Sequence, residues 1–351
     1  MGTPADEKLG WQGVWAMAVG GMVGGGIFSV LGVVISIAGQ WAWVSFLIGG
    51  LIAACACYAY SELAMRFSEG GGAFTFLRET GRKHFAGILS WVLIVGYILT
   101  VSVYAYTFGH YLAYALGLGP WFAAASAVAV IAAMVGLNLM GVGEASIVEI
   151  VVVWGKLIVL VSLAAAGLWL WAPERLTEGI EPASIWNALT GAAVVFMAYE
   201  GFQLLAYDYD DIRDAKRVLI QATMTAIICV IVIYIAVAIG TAMIVGAGTI
   251  VEDKEVALAV AGRQLLGTPG LAIVTLAAAF STISAINATV FSTARLMDHV
   301  AGYHELPRFL THRNSQNVPD RAIFVIGGLG GLLAVTGSLT SLVDAASLVF
   351  L

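Results

Sequence analysis

Residues Gly20-Gly21-Met22-Val23-Gly24-Gly25-Gly26-Ile27-Phe28 sit in the middle of an apolar stretch, 13–38, that is long enough to cross a bilayer. Five of the seven positions 20–26 are glycine, and each costs a helix about 1 kcal/mol relative to alanine. Lipid offers no hydrogen bonds, so a backbone inside a membrane normally keeps its own. A glycine break there is tolerated where the freed amides and carbonyls face protein, water or a ligand. The stretch reads as a discontinuous transmembrane helix. Close packing of helices through small residues is the competing reading, since Gly20 and Gly24 spell a GxxxG motif.

Hydrophobic residues fill 60% of the 351 positions and charged ones only 11%, with a mean hydropathy of +0.94. That composition belongs to a polytopic membrane protein and excludes a soluble domain. The net charge of −6 comes with no basic run to hold nucleic acid. Cys55, Cys57 and Cys229 fall in apolar spans without metal or redox spacing, and are expected to be packing residues. Residues 1–9 are short and polar and resemble no cleavable signal.

Hydrophobic runs separated by charged or Gly/Pro-containing breaks predict ten spans: 13–38, 41–65, 86–116, 121–139, 147–171, 186–207, 218–247, 269–294, 321–337 and a last one from 340. No cap or charge follows the last run, so the chain is expected to be part of a longer protein, truncated in its tenth helix. With the N-terminus in the cytoplasm, twelve basic residues lie inside: Lys8, Arg66, Arg78, Arg82, Lys83, Arg213, Lys216, Arg217, Arg295, Arg308, Arg313 and Arg321. Arg175, Lys254 and Arg263 lie outside, which predicts that orientation in the cell membrane. Residues 252–266 are expected to form a surface helix or a re-entrant cover over an outward opening.

Span six carries its own interruption, Phe196-Met197-Ala198-Tyr199-Glu200-Gly201-Phe202-Gln203, five helices after the first. Five is odd, so the second set of spans enters the membrane from the opposite side. Broken helices at matching places in two inverted halves, about 13–171 and 186–351, point to a secondary transporter with its site at the midplane. The chain is thus expected to be a single transmembrane transporter domain whose second repeat is incomplete.

Four local sequences resemble the amino acid–polyamine–organocation (APC) permeases. Gly24-Gly25-Gly26-Ile27-Phe28 is similar to their G-S-G-[IV]-F, and Ser61-Glu62-Leu63-Ala64 through Gly70-Gly71-Gly72-Ala73-Phe74 to their S-E-L-A…P-x-x-G-G-x-Y. Phe196 through Phe202 is similar to F-x-A-Y-x-G-F, and Phe280-Ser281-Thr282 through Ala294-Arg295 to Leu306-Pro307-Arg308-Phe309 resembles the end of span eight and its loop. Ser68 stands where the family loop has proline, and Gly25 where span one often has serine, which removes one hydroxyl from the expected site. The resemblance implies an all-α, LeuT-like 5+5 inverted repeat with helices 1 and 6 broken, and members usually have twelve spans.

A broken helix offers amides with positive dipole at one end and carbonyls with negative dipole at the other. A zwitterionic amino acid complements both. By resemblance, the amides of Gly25 and Gly26 would hold the carboxylate, and the carbonyls of Met22 and Glu200 the ammonium. Gly201 would supply the turn, with Phe196, Tyr199 or Phe202 closing over the substrate.

Lys156 stands near the middle of span five. An ionised, unpaired lysine there costs several kcal/mol, so it faces a cavity, has a partner or is neutral. Burial favours the neutral form, and a lysine that titrates between two conformations carries protons. In some APC permeases a lysine in span five takes the place of a sodium ion. Lys156 matches it, and Ser281, Thr282 and Ser284 are expected to line the same corner. A static structural cation is the competing role.

Glu200 has three open roles: pairing with Lys156, binding a cationic side chain, or snorkelling to water. Asp208, Asp210, Asp211 and Asp214 are expected to form a solvated gate surface; His110 is expected to pack in span three, and His84, His299, His304 and His312 to fall in loops. No cluster has metal spacing, no P-loop occurs and no nucleophile–base pair is visible, so neither cofactor nor enzyme activity is expected. The function expected is secondary active transport of amino acids by alternating access, coupled to protons. The rivals are a proton-independent exchanger or uniporter, and a membrane-embedded sensor or channel on the same fold.

Overall fold

The computed structural model describes residues 9–67, 72–141, 146–206 and 212–351. Ser68, Gly70, Gly71, Asp208, Asp210 and Asp211 lie outside them. Among the described residues the regular elements are helices, with one isolated bridge pairing Leu9 and Ile212.

The first predicted span is two helices, α1 (Trp11–Met22) and α2 (Gly26–Ala38), separated at 23–25. There follow α3 (Ala42–Phe67), the short α4 (Gly72–Glu79), α5 (Lys83–Leu116), α6 (Pro120–Leu139) and α7 (Ser146–Leu170). The sixth span starts as α8 (Asn187–Val195), tightens to 3-10 turns over Phe196–Tyr199, and resumes as 3-10 turns over Phe202–Ala206. Then come α9 (Ala215–Val245), α10 (Ala247–Glu252), α11 (Ala257–Leu266), α12 (Thr268–Gly302), α13 (Asp320–Thr336) and α14 (Leu339–Phe350). Six runs among the described residues are long and apolar enough to cross a membrane unaided: 26–67, Lys83–Leu116, Pro120–Leu139, Val151–Leu170, Ala215–Val245 and Thr268–Gly302.

Burial separates the scaffold from its contents. From Gly26 to Ile35 every residue of α2 is buried, the pattern of a helix surrounded by protein. The outer helices are apolar on a face that remains exposed, as Trp121 at 86% and Trp169 at 89% illustrate at their ends. In a bilayer that face meets lipid. The broken helices are therefore the core, and the unbroken ones enclose them.

Contacts between distant segments define the two ends of the bundle. At one end Arg213 donates its amide to the Leu9 carbonyl, Arg78 lies 3.7 Å over the Tyr303 ring, and Trp91 donates to the Glu305 carbonyl. At the other, Gln40 and Trp41 both donate to the Ala183 carbonyl, and Gly248 to the Glu178 carbonyl.

Several expectations need correction. Helix α12 runs to Gly302, eight residues beyond the predicted end, because Leu296, Met297, Val300 and Ala301 continue its buried face with no breaker between. His299 consequently sits in a helix, edge-on to Phe74, and His84 lies in the first turn of α5. Of the cysteines, Cys57 is core but Cys55 is exposed. Residues 252–266 are not simply a surface helix: Leu258, Ala259, Ala261 and Gly262 are buried, while Glu252, Arg263, Gln264 and Leu266 are exposed. The Lys254 backbone rests on α2 so closely that a Cβ on Gly32 would stand 2.3 Å from its carbonyl oxygen.

Candidate functional site

The two breaks touch. A Cβ added at Gly26 would come within 2.8 Å of the Ala198 Cα, and one added at Gly21 within 3.2 Å of the Gly201 Cα. Gly201 has φ +126°, a conformation open to glycine and strained for other residues. These positions need glycine for close backbone approach.

The carbonyls freed at the first break can be accounted for one by one, as buried backbone groups require. Val19 accepts from the Val23 amide at 2.7 Å and Gly21 from the Gly24 amide at 3.3 Å. Gly20 accepts from Lys156 Nζ at 2.9 Å. Met22 accepts from the Tyr234 hydroxyl at 2.7 Å. Val23 accepts from the Ser281 hydroxyl at 2.6 Å, and the same hydroxyl lies against the Gly24 carbonyl. Gly25 accepts from the amide and hydroxyl of Ser29. The amides of Gly25 and Gly26, by contrast, open α2 and have no acceptor within it. Most carbonyls at this break are thus engaged, by side chains or by nearby amides, while two amides stand at the positive end of α2.

Lys156 is 2% exposed and donates to the Gly20 carbonyl in the last turn of α1, the negative end of that half-helix. Ser281 donates to the Val23 carbonyl three residues further on, so both predicted residues bond to carbonyls at the first break. Thr282 is buried but returns its hydroxyl to its own helix at Ala278, 2.8 Å away. Ser284 is only partly buried.

Glu200 is 3% exposed, which removes the snorkelling role. Its Oε2 accepts from Gln203 Nε2 at 2.5 Å, and Oε1 has no hydrogen-bond partner among the described residues. Glu200 makes no ion pair among the described residues either, so Gln203 stands where Lys156 was one expected partner.

A cavity of about 20 Å³ opens beside the breaks, room for roughly one water. Its walls are Gly21, Glu200 and Gly201 from the breaks, Tyr97, Thr100 and Tyr104 from α5, and Ala285, Ala288 and Thr289 from α12. The Tyr104 ring lies over Gly25, where a Cβ would meet it at 2.2 Å. The three aromatics expected to close over a substrate point elsewhere. Tyr199 donates to the Phe46 carbonyl at 2.8 Å, Phe202 stands edge-on to Tyr60, and Phe196 is buried outside the cavity wall.

Two residues escaped the sequence reading. Tyr234 bridges both breaks, its hydroxyl lying 2.7 Å from the Met22 carbonyl and 3.0 Å from that of Ala198. Tyr104 lies over Gly25. Each is a tyrosine inside an apolar span, and that polar tip was the available signal. His110 does not simply pack: it stacks on Tyr106 at 3.8 Å and stands 3.6 Å from Glu255, which also accepts from the Tyr106 hydroxyl.

Two broken helices crossing inside a sleeve of unbroken ones define a transporter of LeuT-like fold. A crystal structure of MhsT in complex with L-phenylalanine superposes with a TM-score of 0.68 at 16% identity, covering 96% of this chain and 85% of that one. The inner membrane transport protein YbaT of Escherichia coli is 29% identical over 355 residues, 100% of this chain and 82% of the relative. The serine/threonine exchanger SteT of Bacillus subtilis is 23% identical over 304 residues, 86% and 69%. The amino acid permease family matches residues 9–351, and the chain belongs to that family of multi-pass membrane transporters, which are not enzymes.

Proposed function

We propose that this protein moves amino acids across the cytoplasmic membrane by alternating access, driven by protons through Lys156. The observation that carries the reading is the Lys156 ammonium at the Gly20 carbonyl, 2.9 Å away, with Ser281 on the Val23 carbonyl. A cation suits that negative helix end, and a lysine supplies one that loss of a proton removes. A hydrogen bond from a charged donor is worth about 1.5–3 kcal/mol against about 1 for a neutral one. Protonation thus favours the conformation in which α1 is tied to α7, and loss of the proton favours its release. The substrate carboxylate is taken by the amides of Gly25 and Gly26. The ammonium is taken by the carbonyls of Met22 and Glu200, each of which has a second lone pair to offer.

The two halves, about 13–171 and 186–351, act as inverted repeats, with the N-terminus in the cytoplasm. The excess of basic residues on that side and the odd helix count support this arrangement. The relative named a serine/threonine exchanger favours one second reading, exchange without protons, in which Lys156 is a fixed cation. Uptake of labelled amino acids into proteoliposomes separates the two. Proton coupling predicts accumulation under an inward proton gradient, independent of sodium. Exchange predicts uptake only against a preloaded amino acid.

A further inference from the structure

Glu200 is the buried charge that the transport mechanism above leaves without a task for its side chain. The carboxylate is 3% exposed, yet only one of its oxygens is hydrogen-bonded, to the neutral amide of Gln203. The other has no hydrogen-bond partner among the described residues. A buried carboxylate in that condition lacks compensation for its lost hydration and calls for a counter-cation. Among the described residues no basic side chain is paired with it, and Lys156, in the interior of the fifth span, donates to the Gly20 carbonyl.

Glu200 also lines the cavity beside the breaks, whose other walls hold hydroxyls and small residues but no cation. Thr100 and Thr289 offer polar oxygen, while Ala285, Ala288 and Gly21 leave the walls without bulk. At about 20 Å³ the space suits a single ammonium-sized group. The Tyr104 ring borders this cavity and also covers Gly25.

We infer that the Glu200 carboxylate receives a cationic group on the substrate's side chain, so that the transporter prefers amino acids carrying an ammonium or guanidinium at their far end. This rests on the amino acid transport reading. It adds a substrate class set by one residue: carboxylate end on the amides of Gly25 and Gly26, cationic end on Glu200.

The test compares lysine with norleucine, which has the same carbon chain and no terminal ammonium, in binding to the purified full chain. Wild type should bind lysine about tenfold or more tightly than norleucine, the worth of one charge-assisted bond. In Glu200→Gln that ratio should fall towards one, whatever happens to the absolute affinities. Norleucine binding as well as lysine in wild type would overturn the inference without any variant, and would leave amino acid transport standing. A lysine preference that survives in Glu200→Gln would overturn it too. Failure of wild type to bind any amino acid would overturn this inference together with the transport reading beneath it.

Discussion

Gly201 and Gly21 meet backbone to backbone: a Cβ on Gly201 would stand 2.5 Å from the carbonyl carbon of Gly21. One comes from the break in the sixth span and the other from the end of α1, so the two interruptions are a single packed feature. Tyr234 ties the same pair of segments from the side, through the Met22 and Ala198 carbonyls. Movement of either break must disturb the other.

Gly201→Ala therefore meets both a strained φ of +126° and a backbone clash. We expect a loss of about 1–3 kcal/mol in stability and of transport at equal membrane abundance. Gly26→Leu, facing Ala198, should abolish transport while the protein still inserts. Gly331→Ala, where a Cβ meets nothing within 4 Å, is the control and should be neutral or slightly stabilising. Uptake and thermal unfolding in detergent check all three, and a fully active Gly201→Ala would refute the close approach.

Tyr234→Phe removes a hydroxyl that serves two buried carbonyls while keeping the ring that packs on Tyr199 and Phe46. The expected cost is about 1–3 kcal/mol, read as a lower unfolding temperature. An unchanged temperature would mean that other donors reach those carbonyls.

Lys156→Ala should lose accumulation driven by a pH gradient yet retain amino acid binding, since the amides of Gly25 and Gly26 remain. A two-unit difference in proton affinity between states changes their populations about a hundredfold. The comparison is uptake into proteoliposomes with and without an imposed pH gradient. Gradient-driven uptake equal to wild type would leave Lys156 a structural cation.

Selectivity should follow the cavity wall. Tyr104→Leu is expected to alter the ranking of amino acids in a competition assay, because the ring covers Gly25. Tyr199→Phe, which loses only the bond to the Phe46 carbonyl, should lower stability and leave the ranking intact. Reversal of that pattern would move the substrate to the far side of the break.

The outer segment between α10 and α11 is held by Glu255, which accepts from Tyr106 at 2.8 Å with His110 beside it at 3.6 Å. Glu255→Ala should speed amide hydrogen exchange over residues 253–256, and Tyr106→Phe should do so less. Equal exchange in all three proteins would show that backbone packing on Gly32 suffices.

What the sequence determined by itself is what a bilayer makes local. A span is legible because hydrocarbon demands an unbroken apolar helix, and the breaks at 23–25 and after Val195 are legible because glycine violates that demand. Lys156 was legible for the same reason: a charge in an apolar run must have a place to go. Tertiary structure alone decided where it goes. Lys156 finds Gly20 across 136 residues, Tyr234 finds Met22 across 212, and Ser281 finds Val23 across 258. Periodicity ranks the faces of one helix and carries no information about which carbonyl of another helix stands opposite. The aromatic residues flanking Gly201 show the consequence. Their adjacency in sequence suggested a lid, but a 3-10 turn and an extended residue rotate them towards Phe46 and Tyr60. Tyr104, distant in sequence, takes the place over Gly25 because α5 passes there.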